Sequence, residues 1–356
     1  MWIRSLTALA FAAVLAPSAA SAGPAATASR PTCDRACLMG YAEGYMKAML
    51  AHDVTGQPLS STVKVTENLA PIAAGEGLVQ YIKAFKYPRQ FVVDTAAGQI
   101  GVQAVVDDLV GEALLGLRLK VEDGRITEIE TLVTHEGEGG PAFQPVGFLT
   151  REGPFIRDIP LPARTSRADL LKVAKAYWTA ATKTHDRRDV PYDLNCLHIE
   201  NGMNTDWEHH LDAEAIKAPA FAAQADGRRF TCGTDVDLST TFFTGVRSYR
   251  TLVDEERGLV MVWNVIDTKK DDAPFPPAPN AEAAAAAFAQ RLRDSKTGFG
   301  PDDLPPGLTM RGMAGSATNP RSIYHAETQL IINGKIVRHQ QFLRDLPLGQ
   351  ASPWPE

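Results

Sequence analysis

One unit occurs twice in this chain, and its recurrence limits what the chain can fold into. A helical stretch with an apolar stripe ends in His-Asp, and a strand-like stretch then ends in Glu-Asn. The first copy runs from Tyr45 through His52-Asp53 to Glu67-Asn68, and the second from Tyr177 through His185-Asp186 to Glu200-Asn201. His and Glu stand 15 positions apart in both copies (67 − 52 and 200 − 185). A spacing kept to the residue across a helix end, a loop and a strand predicts two related domains.

The flanking sequence repeats the same order of elements. In residues 34–52, Leu38, Tyr41, Tyr45, Met49 and Leu50 recur at helical spacing behind Asp34, a suitable N-cap. Residues 63–67 alternate as a strand does, and a short helix is expected over 78–85 after the Gly75-Glu76-Gly77 turn. Strand-like runs follow at 91–95, 101–106, 113–121 and 126–133. A three-residue loop through Glu122-Asp123-Gly124, with Gly124 as a left-handed bulge, puts Leu115, Leu117 and Leu119 on one face with Thr127, Ile129 and Thr131. A two-residue turn would bring Glu128 and Glu130 beside those leucines instead, so the longer loop is expected. Residues 136–165 are rich in Gly and Pro and read as a linker.

The second copy starts after Thr165-Ser166 with a helix carrying Leu170, Leu171, Val173, Ala174, Tyr177 and Trp178, and a strand over 194–200 follows. Strands are expected at 246–253 and 259–266. After Pro274 to Pro279, Asn280 caps an alanine-rich helix, and a last hairpin pairs 324–332 with 336–343 through Asn333-Gly334. The repeat offset is 133 at the Asn of Glu-Asn (201 − 68) and 210 at the hairpin glycine (334 − 124), so the second copy carries 77 extra residues, much of them an insertion at 271–322. A long helix followed by antiparallel strands argues an α+β class, with each sheet curled over its helix.

The start of the chain reads as an export signal over 1–22: Met1-Trp2-Ile3-Arg4, an apolar run from Leu6 to Leu15, and the small-residue site Ala20-Ser21-Ala22. That run is too short to cross a bilayer of about 30 Å. The expected mature chain begins near Gly23, works in the periplasm or as a secreted protein, and has no membrane partner. Net charge is −6 and no basic cluster exceeds Arg187-Arg188 or Lys269-Lys270, which argues against nucleic acid. The four cysteines fit an oxidising compartment. They allow three connectivities; Cys196–Cys232 inside the second domain and Cys33–Cys37 as a local loop are favoured, with Cys33 ahead of the helix proper. Paired Cys or His ligand spacings are absent, as are a Gly-x-Ser-x-Gly elbow, a Walker loop and a dinucleotide fingerprint. Neither metal nor cofactor is expected.

Four stretches carry a family resemblance: Cys33-Asp34-Arg35-Ala36-Cys37-Leu38, Gly75-Glu76-Gly77-Leu78, Ile199-Glu200-Asn201-Gly202 and Val253-Asp254-Glu255-Glu256-Arg257-Gly258-Leu259. With them the chain resembles a tandem of nuclear transport factor 2-like (SnoaL-like) domains, in a group of exported bacterial and fungal proteins. The resemblance covers most of 33–135 and 166–345. It implies two cone-shaped α+β domains, each a curved antiparallel sheet wrapped on helices around a pocket. Enzymes of that fold include ketosteroid isomerases, scytalone dehydratase, limonene epoxide hydrolase, polyketide cyclases and cofactor-independent lyases acting on lignin-derived dimers. Non-enzymatic binders share it.

Proton chemistry needs a base within reach of substrate and an orienting partner. Superposing the hairpin glycines puts His325, Glu327 and Gln329 where the first copy has Leu115, Leu117 and Leu119. Glu327 is then expected across from His339, and His325 across from Gln341, so His325, Glu327 and His339 are the candidate catalytic set. The competing reading makes Tyr324, Ala326, Thr328, Leu330 and Ile332 the core face and leaves the His–Glu set in solvent, because one slip reverses every side chain. The preceding strand is equally open: the repeat register turns Cys196, His198 and Glu200 inward, while periodicity prefers Leu197 and Ile199. Tyr177, Trp178, Glu200 and Tyr249 are candidate substrate-binding residues, and Arg247 and Arg250 candidate anchors for an acidic or phenolic group. His52-Asp53 and His185-Asp186 read as helix ends. The expected partner is a small apolar or aromatic molecule, with a homodimer as a candidate assembly. The expected activity is cofactor-independent lyase, isomerase or dehydratase chemistry. Ligand binding without catalysis, or a tandem whose sheets pack together without a pocket, are the alternatives.

Overall fold

The computed structural model describes residues 33–139, 143–146, 155, 157–184, 187–204, 243–268 and 321–354. The expected export signal, His185-Asp186, Cys232, the expected alanine-rich helix and most of the expected 271–322 insertion lie outside the described residues.

Asp34 accepts the backbone N–H of Cys37 and starts α1 (Arg35–Leu50), whose face of Leu38, Ala42, Tyr45, Met46 and Met49 is buried. His52 ends it in the left-handed region (φ 56), and the Asp53 carboxylate accepts both N–H and O–H of Thr55. The first His-Asp pair is therefore a helix stop followed by a side-chain-closed turn.

The first sheet contains β1 (Leu59–Glu67), β2 (Ala70–Pro71), β3 (Ala84–Phe85), β4 (Gln90–Asp94), β5 (Gln99–Asp107), β6 (Glu112–Glu122) and β7 (Arg125–Thr134). Its path is β2-β1-β7-β6-β5-β3, with β4 also on β5. The helix expected over 78–85 is only a single 3-10 turn, Gly77–Gln80, before β3. The Glu67 carboxylate explains this local shape. It is buried and accepts Leu78 N–H (2.9 Å), Tyr81 O–H (3.2 Å) and Thr131 O–H (3.4 Å).

Ser166 caps α2 (Arg167–Thr179), which runs on into a π-helical turn at Ala180–Thr184. The second sheet holds β8 (Tyr192–Glu200), β9 (Met203–Asn204), β10 (Phe243–Asp254), β11 (Leu259–Thr268), β12 (Arg321–Ile332) and β13 (Lys335–Pro347), in the order β10-β11-β12-β13-β8-β9. Both sheets are mixed, not purely antiparallel as expected, because β1 lies parallel to β7 and β8 parallel to β13. The asparagine of each Glu-Asn pair makes this return possible. Asn68 (φ 50) and Asn201 (φ 43) take the left-handed region, and their side-chain oxygens accept Val133 N–H and Leu343 N–H at 2.8 and 2.9 Å. Those acceptor positions differ by the hairpin offset of 210 (343 − 133).

The hairpins obey one geometry with a different device from that expected. Asp123-Gly124 and Asn333-Gly334 all have positive φ, the requirement of a two-residue type I′ turn. A one-residue bulge then shifts register between Lys120 and Val121 in one hairpin and between Leu330 and Ile331 in the other. The bulge restores the predicted faces, so Leu115, Leu117, Leu119 and Ile129 do pack together against α1.

Three cores result. One lies between α1 and the first sheet, and another between α2 and the second. The third lies between the two sheets, where Val92, Val105, Leu114 and Leu132 meet Met261, Trp263, Tyr324, Ala326 and Phe342. Gly101 and Gly116 mark close approaches: a Cβ at Gly101 would run into Met261 Sδ, and one at Gly116 would stand 2.8 Å from that of Ala326. Buried charge joins the same layers. Arg250 and Tyr324 both reach Glu130, and Arg344 reaches Glu138, itself in the stretch expected as linker.

Candidate functional site

β12 is covered on both sides, and this settles which of its faces is core. Tyr324, Ala326 and Leu330 fill the layer between the sheets, while His325, Glu327 and Gln329 point to the α2 side and are equally buried. The two readings of the strand thus describe its two faces, and neither face is in solvent. At the equivalent positions the first sheet carries Leu115, Leu117, Leu119 and, for His339, Ile129. Where one half has an apolar core, the other has imidazole, carboxylate and amide.

The expected cross-strand partners are off by two residues. Glu327 lies opposite Gln341, Gln329 opposite His339 and His325 opposite Leu343. The bulged hairpin keeps step with the first half, where Leu117 faces Thr131 and Leu119 faces Ile129. His339 still meets Glu327 on the diagonal, with Nε2 at 2.9 Å from Oε1, and Gln329 Nε2 donates to the same oxygen. Helix α2 closes over this row: Tyr177 stands edge-on to His339 with ring centres 4.4 Å apart, and Trp178 is 5.3 Å from His325.

On β8 the repeat register holds. Cys196 packs in the α2 core, and His198 lies on the same side, 4.7 Å from the His339 ring. The Gln341 amide sits 3.0 Å from His198 Nε2 and 3.4 Å from Glu200, which is half-buried at the rim. Ile199 is buried on the opposite face, so periodicity alone could not separate the two registers. From β10, Tyr249 packs against the same core; burial first, then the nearby Glu327 charge, raises its phenol above the ordinary range. His325 is held neutral: burial, with His339 and His198 beside it, lowers its pKa to about 3.

The expected residues are therefore gathered in one place: His325, Glu327, His339, Tyr177, Trp178 and Tyr249 inside, and Glu200 at its edge. A carboxylate beside an imidazole, with a phenol and the neutral His325 imidazole nearby, can take and return a proton. The arginine anchors do not belong to it. Arg250 is turned to the other face and spent on Glu130, and Arg247 pairs with Asp267 at 2.6 Å. Sequence reading missed Asn264, fully buried on β11 beside His325 and Tyr249 in the strand register. Its signal was available: a lone Asn in the apolar run Leu259-Val260-Met261-Val262-Trp263-Asn264-Val265-Ile266.

Elsewhere, Cys33 and Cys37 form a disulfide with Cα atoms 5.3 Å apart, Cys33 preceding the helix as expected. Cys196 is also disulfide-bonded, and its expected partner Cys232 lies outside the described residues. Such bonds fit an oxidising compartment. Among the described residues no helix is long and apolar enough to cross a membrane, and no three His, Cys, Asp or Glu side chains are grouped to hold a metal ion.

No curated protein matches the chain in sequence. Among solved structures it is similar to AusH from Aspergillus nidulans, at 16% identity over 30% of this chain and 88% of that one, with a TM-score of 0.25. A family model described as Domain of unknown function (DUF8021) matches residues 163–340, which take in α2, β8 to β12 and the first part of β13. That match covers 178 of 356 residues (340 − 163 + 1), and the chain belongs to the DUF8021 family.

Proposed function

We propose that the chain is an exported, cofactor-independent acid–base enzyme of lyase, isomerase or dehydratase type. Its substrate on this reading is a small, mostly apolar, aromatic molecule such as a lignin-derived fragment. We place its two halves among nuclear transport factor 2-like cones, with the working pocket in the second. One observation carries the reading: His339 Nε2 lies 2.9 Å from Glu327 Oε1 inside a core whose counterpart in the first half is leucine and isoleucine. A buried polar constellation costs stability unless something uses it, and here it stands where a duplicated sheet could have kept leucines.

In this role His339 takes the proton beside an activated carbon and Glu327 orients the imidazole and balances its charge. Tyr177 and Trp178 form the aromatic wall. Turnover of a panel of neutral aromatic alcohols, ketones and aryl ethers tests the proposal. Removing a positioned acid–base group typically costs 10²- to 10⁴-fold in rate. His339→Ala and Glu327→Gln should each lose activity on that scale while a folded control on the sheet-to-sheet face, Thr328→Val, keeps it. Saturable binding without turnover would instead make the protein a binder of small hydrophobic ligands.

A further inference from the structure

Three side chains of the second half share one lateral row of the sheet. Tyr249 on β10 is in register with Asn264 on β11, and Asn264 with His325 on β12. All three lie on the α2 side, since Val260, Val262 and Ile266 alternate with Asn264 into the α2 core. Trp178 of α2 packs over the end of this row, against His325. The row is enclosed, yet several polar atoms in and beside it have no hydrogen-bond partner among the described residues. Asn264 is fully buried, and neither its Nδ2 nor its Oδ1 has a hydrogen-bond partner among the described residues; the same is true of Tyr249 O–H and Trp178 Nε1–H. Asn201 is fully committed by comparison: it accepts Leu343 N–H and donates to Gly139 C=O.

Buried polar groups are almost always hydrogen-bonded, and four orphaned atoms from three elements around one spot call for a common explanation. The kind of ligand follows from the atoms. Three are donors (Tyr249 O–H, Trp178 N–H, Asn264 N–H) and one is an acceptor (Asn264 C=O). The arginines of the neighbouring strands, Arg250, Arg338 and Arg344, face the other side of the sheet, on Glu130, Phe155 and Glu138. The Glu327 carboxylate is close enough to act on the Tyr249 phenol, so an anionic group there would meet repulsion from it.

We infer that Tyr249, Asn264 and Trp178 form a subsite for a neutral carbonyl oxygen on an otherwise aromatic ligand. The donors take the carbonyl lone pairs, and the Asn264 oxygen accepts a hydroxyl or N–H carried next to it. The inference rests on the reading of the α2-covered interior as a ligand pocket. It narrows the substrate class to aryl ketones, aldehydes, amides or esters and sets aromatic acids and plain hydrocarbons aside. It also places an oxygen-polarising group in the same interior as the His339–Glu327 pair, as proton abstraction next to a carbonyl requires.

Three probes of similar size separate the possibilities: acetophenone, ethylbenzene and benzoate, titrated into the full-length protein by calorimetry or ligand-observed NMR. A site built to hydrogen-bond a ligand group rejects the analogue lacking it, because its own buried polar atoms then stay unpaired. Acetophenone should bind at least tenfold more tightly than ethylbenzene and benzoate. In Asn264→Leu and Tyr249→Phe that preference should shrink or reverse, with ethylbenzene affinity kept or improved. Two variants on different strands guard against one that does not fold. Equal binding of acetophenone and ethylbenzene to the wild type overturns the carbonyl subsite and leaves the pocket reading standing. Preference for benzoate overturns the neutral-ligand claim. Failure of all three probes at millimolar concentration overturns the pocket reading itself, and the subsite with it.

Discussion

Replacing Asn264 with leucine should make the unliganded protein more stable, and replacing Asn201 with leucine should make it less so. The same change of side chain is made at two fully buried positions of one sheet, so only the use of the amide differs. At Asn264 both amide atoms are without partners among the described residues, and an unsatisfied buried polar group costs about 1–3 kcal/mol. Leucine has the same branching and number of side-chain heavy atoms, with bulkier ends, and adds apolar contacts with Val262 and Ile266 of the α2 core. Allowing for some misfit of the branched end, the gain comes to about 1–3 kcal/mol. That is a rise of about 2–4 °C in Tm per kcal/mol for a domain of this size. At Asn201 the substitution removes three hydrogen bonds of 2.9, 2.8 and 3.3 Å, strands Leu343 N–H and puts a leucine at φ 43, for a loss of several kcal/mol. Urea titrations followed by tryptophan fluorescence read both. If Asn264→Leu lowers the midpoint by as much as Asn201→Leu, the amide is serving the fold, and the reasoning that reserves it for a ligand fails.

Two further predictions concern buried charge. Burial raises the Glu67 pKa to about 7, so the folded protein keeps this acid neutral at pH values where the unfolded chain has ionised it. Stability should therefore fall as pH rises from about 4.5 to 7. At roughly 1.4 kcal/mol per pKa unit the fall is about 3 kcal/mol, and Glu67→Gln should flatten the curve. An unchanged pH profile in Glu67→Gln would show that the acid is ionised in the fold. The second site is the cluster tying the two sheets, where His135 meets Asp108 (2.8 Å) and Glu138 (3.1 Å), and Arg344 also holds Glu138. Against their burial, Asp108 and Glu138 raise the His135 pKa, and Arg344 with His135 lowers that of Glu138. A raised histidine contributes fully below about pH 6.5 and loses that contribution as pH climbs through its folded value. A lowered glutamate contributes fully above about 4.5 and loses it in strong acid. The cluster therefore works best between those limits, and there Glu138→Gln should cost about 3–5 kcal/mol, because it leaves buried cations uncompensated. A cost under 1 kcal/mol at pH 6 would mean that water reaches the cluster.

Much of this fold could be read from residue order. The repeated helix–strand unit, the caps at Asp34 and Ser166, the hairpins at Asp123-Gly124 and Asn333-Gly334, and the faces of β6 and β7 are local patterns, and local patterns survive in sequence. What failed was non-local. The parallel pairing of β1 with β7 and of β8 with β13 joins residues far apart in the chain, and the strand alternation of 63–67 carries no mark of its partner. The two-residue error in the last hairpin came from placing His339 directly opposite Glu327, where the bulge puts it on the diagonal. Burial of both faces of β12 was not legible either, since the layer covering its second face comes from the other half of the chain. His325, Glu327 and His339 stand out in the sequence because they break an apolar pattern that the first copy keeps. Asn264 breaks the pattern of its own strand in the same way, and attention to single polar residues inside apolar runs would have found it.

The account turns on a ligand entering between α2 and the second sheet, and the histidine side chains report that place directly. In protein labelled with carbon-13 histidine, His198, His325 and His339 line the proposed pocket, while His52 and His135 lie in the first half and serve as controls. On titration with acetophenone, the ring signals of the first three should shift together with one saturation curve, and those of His52 and His135 should stay in place. Saturable shifts confined to His135 or His52, or none at the three pocket histidines, would contradict it.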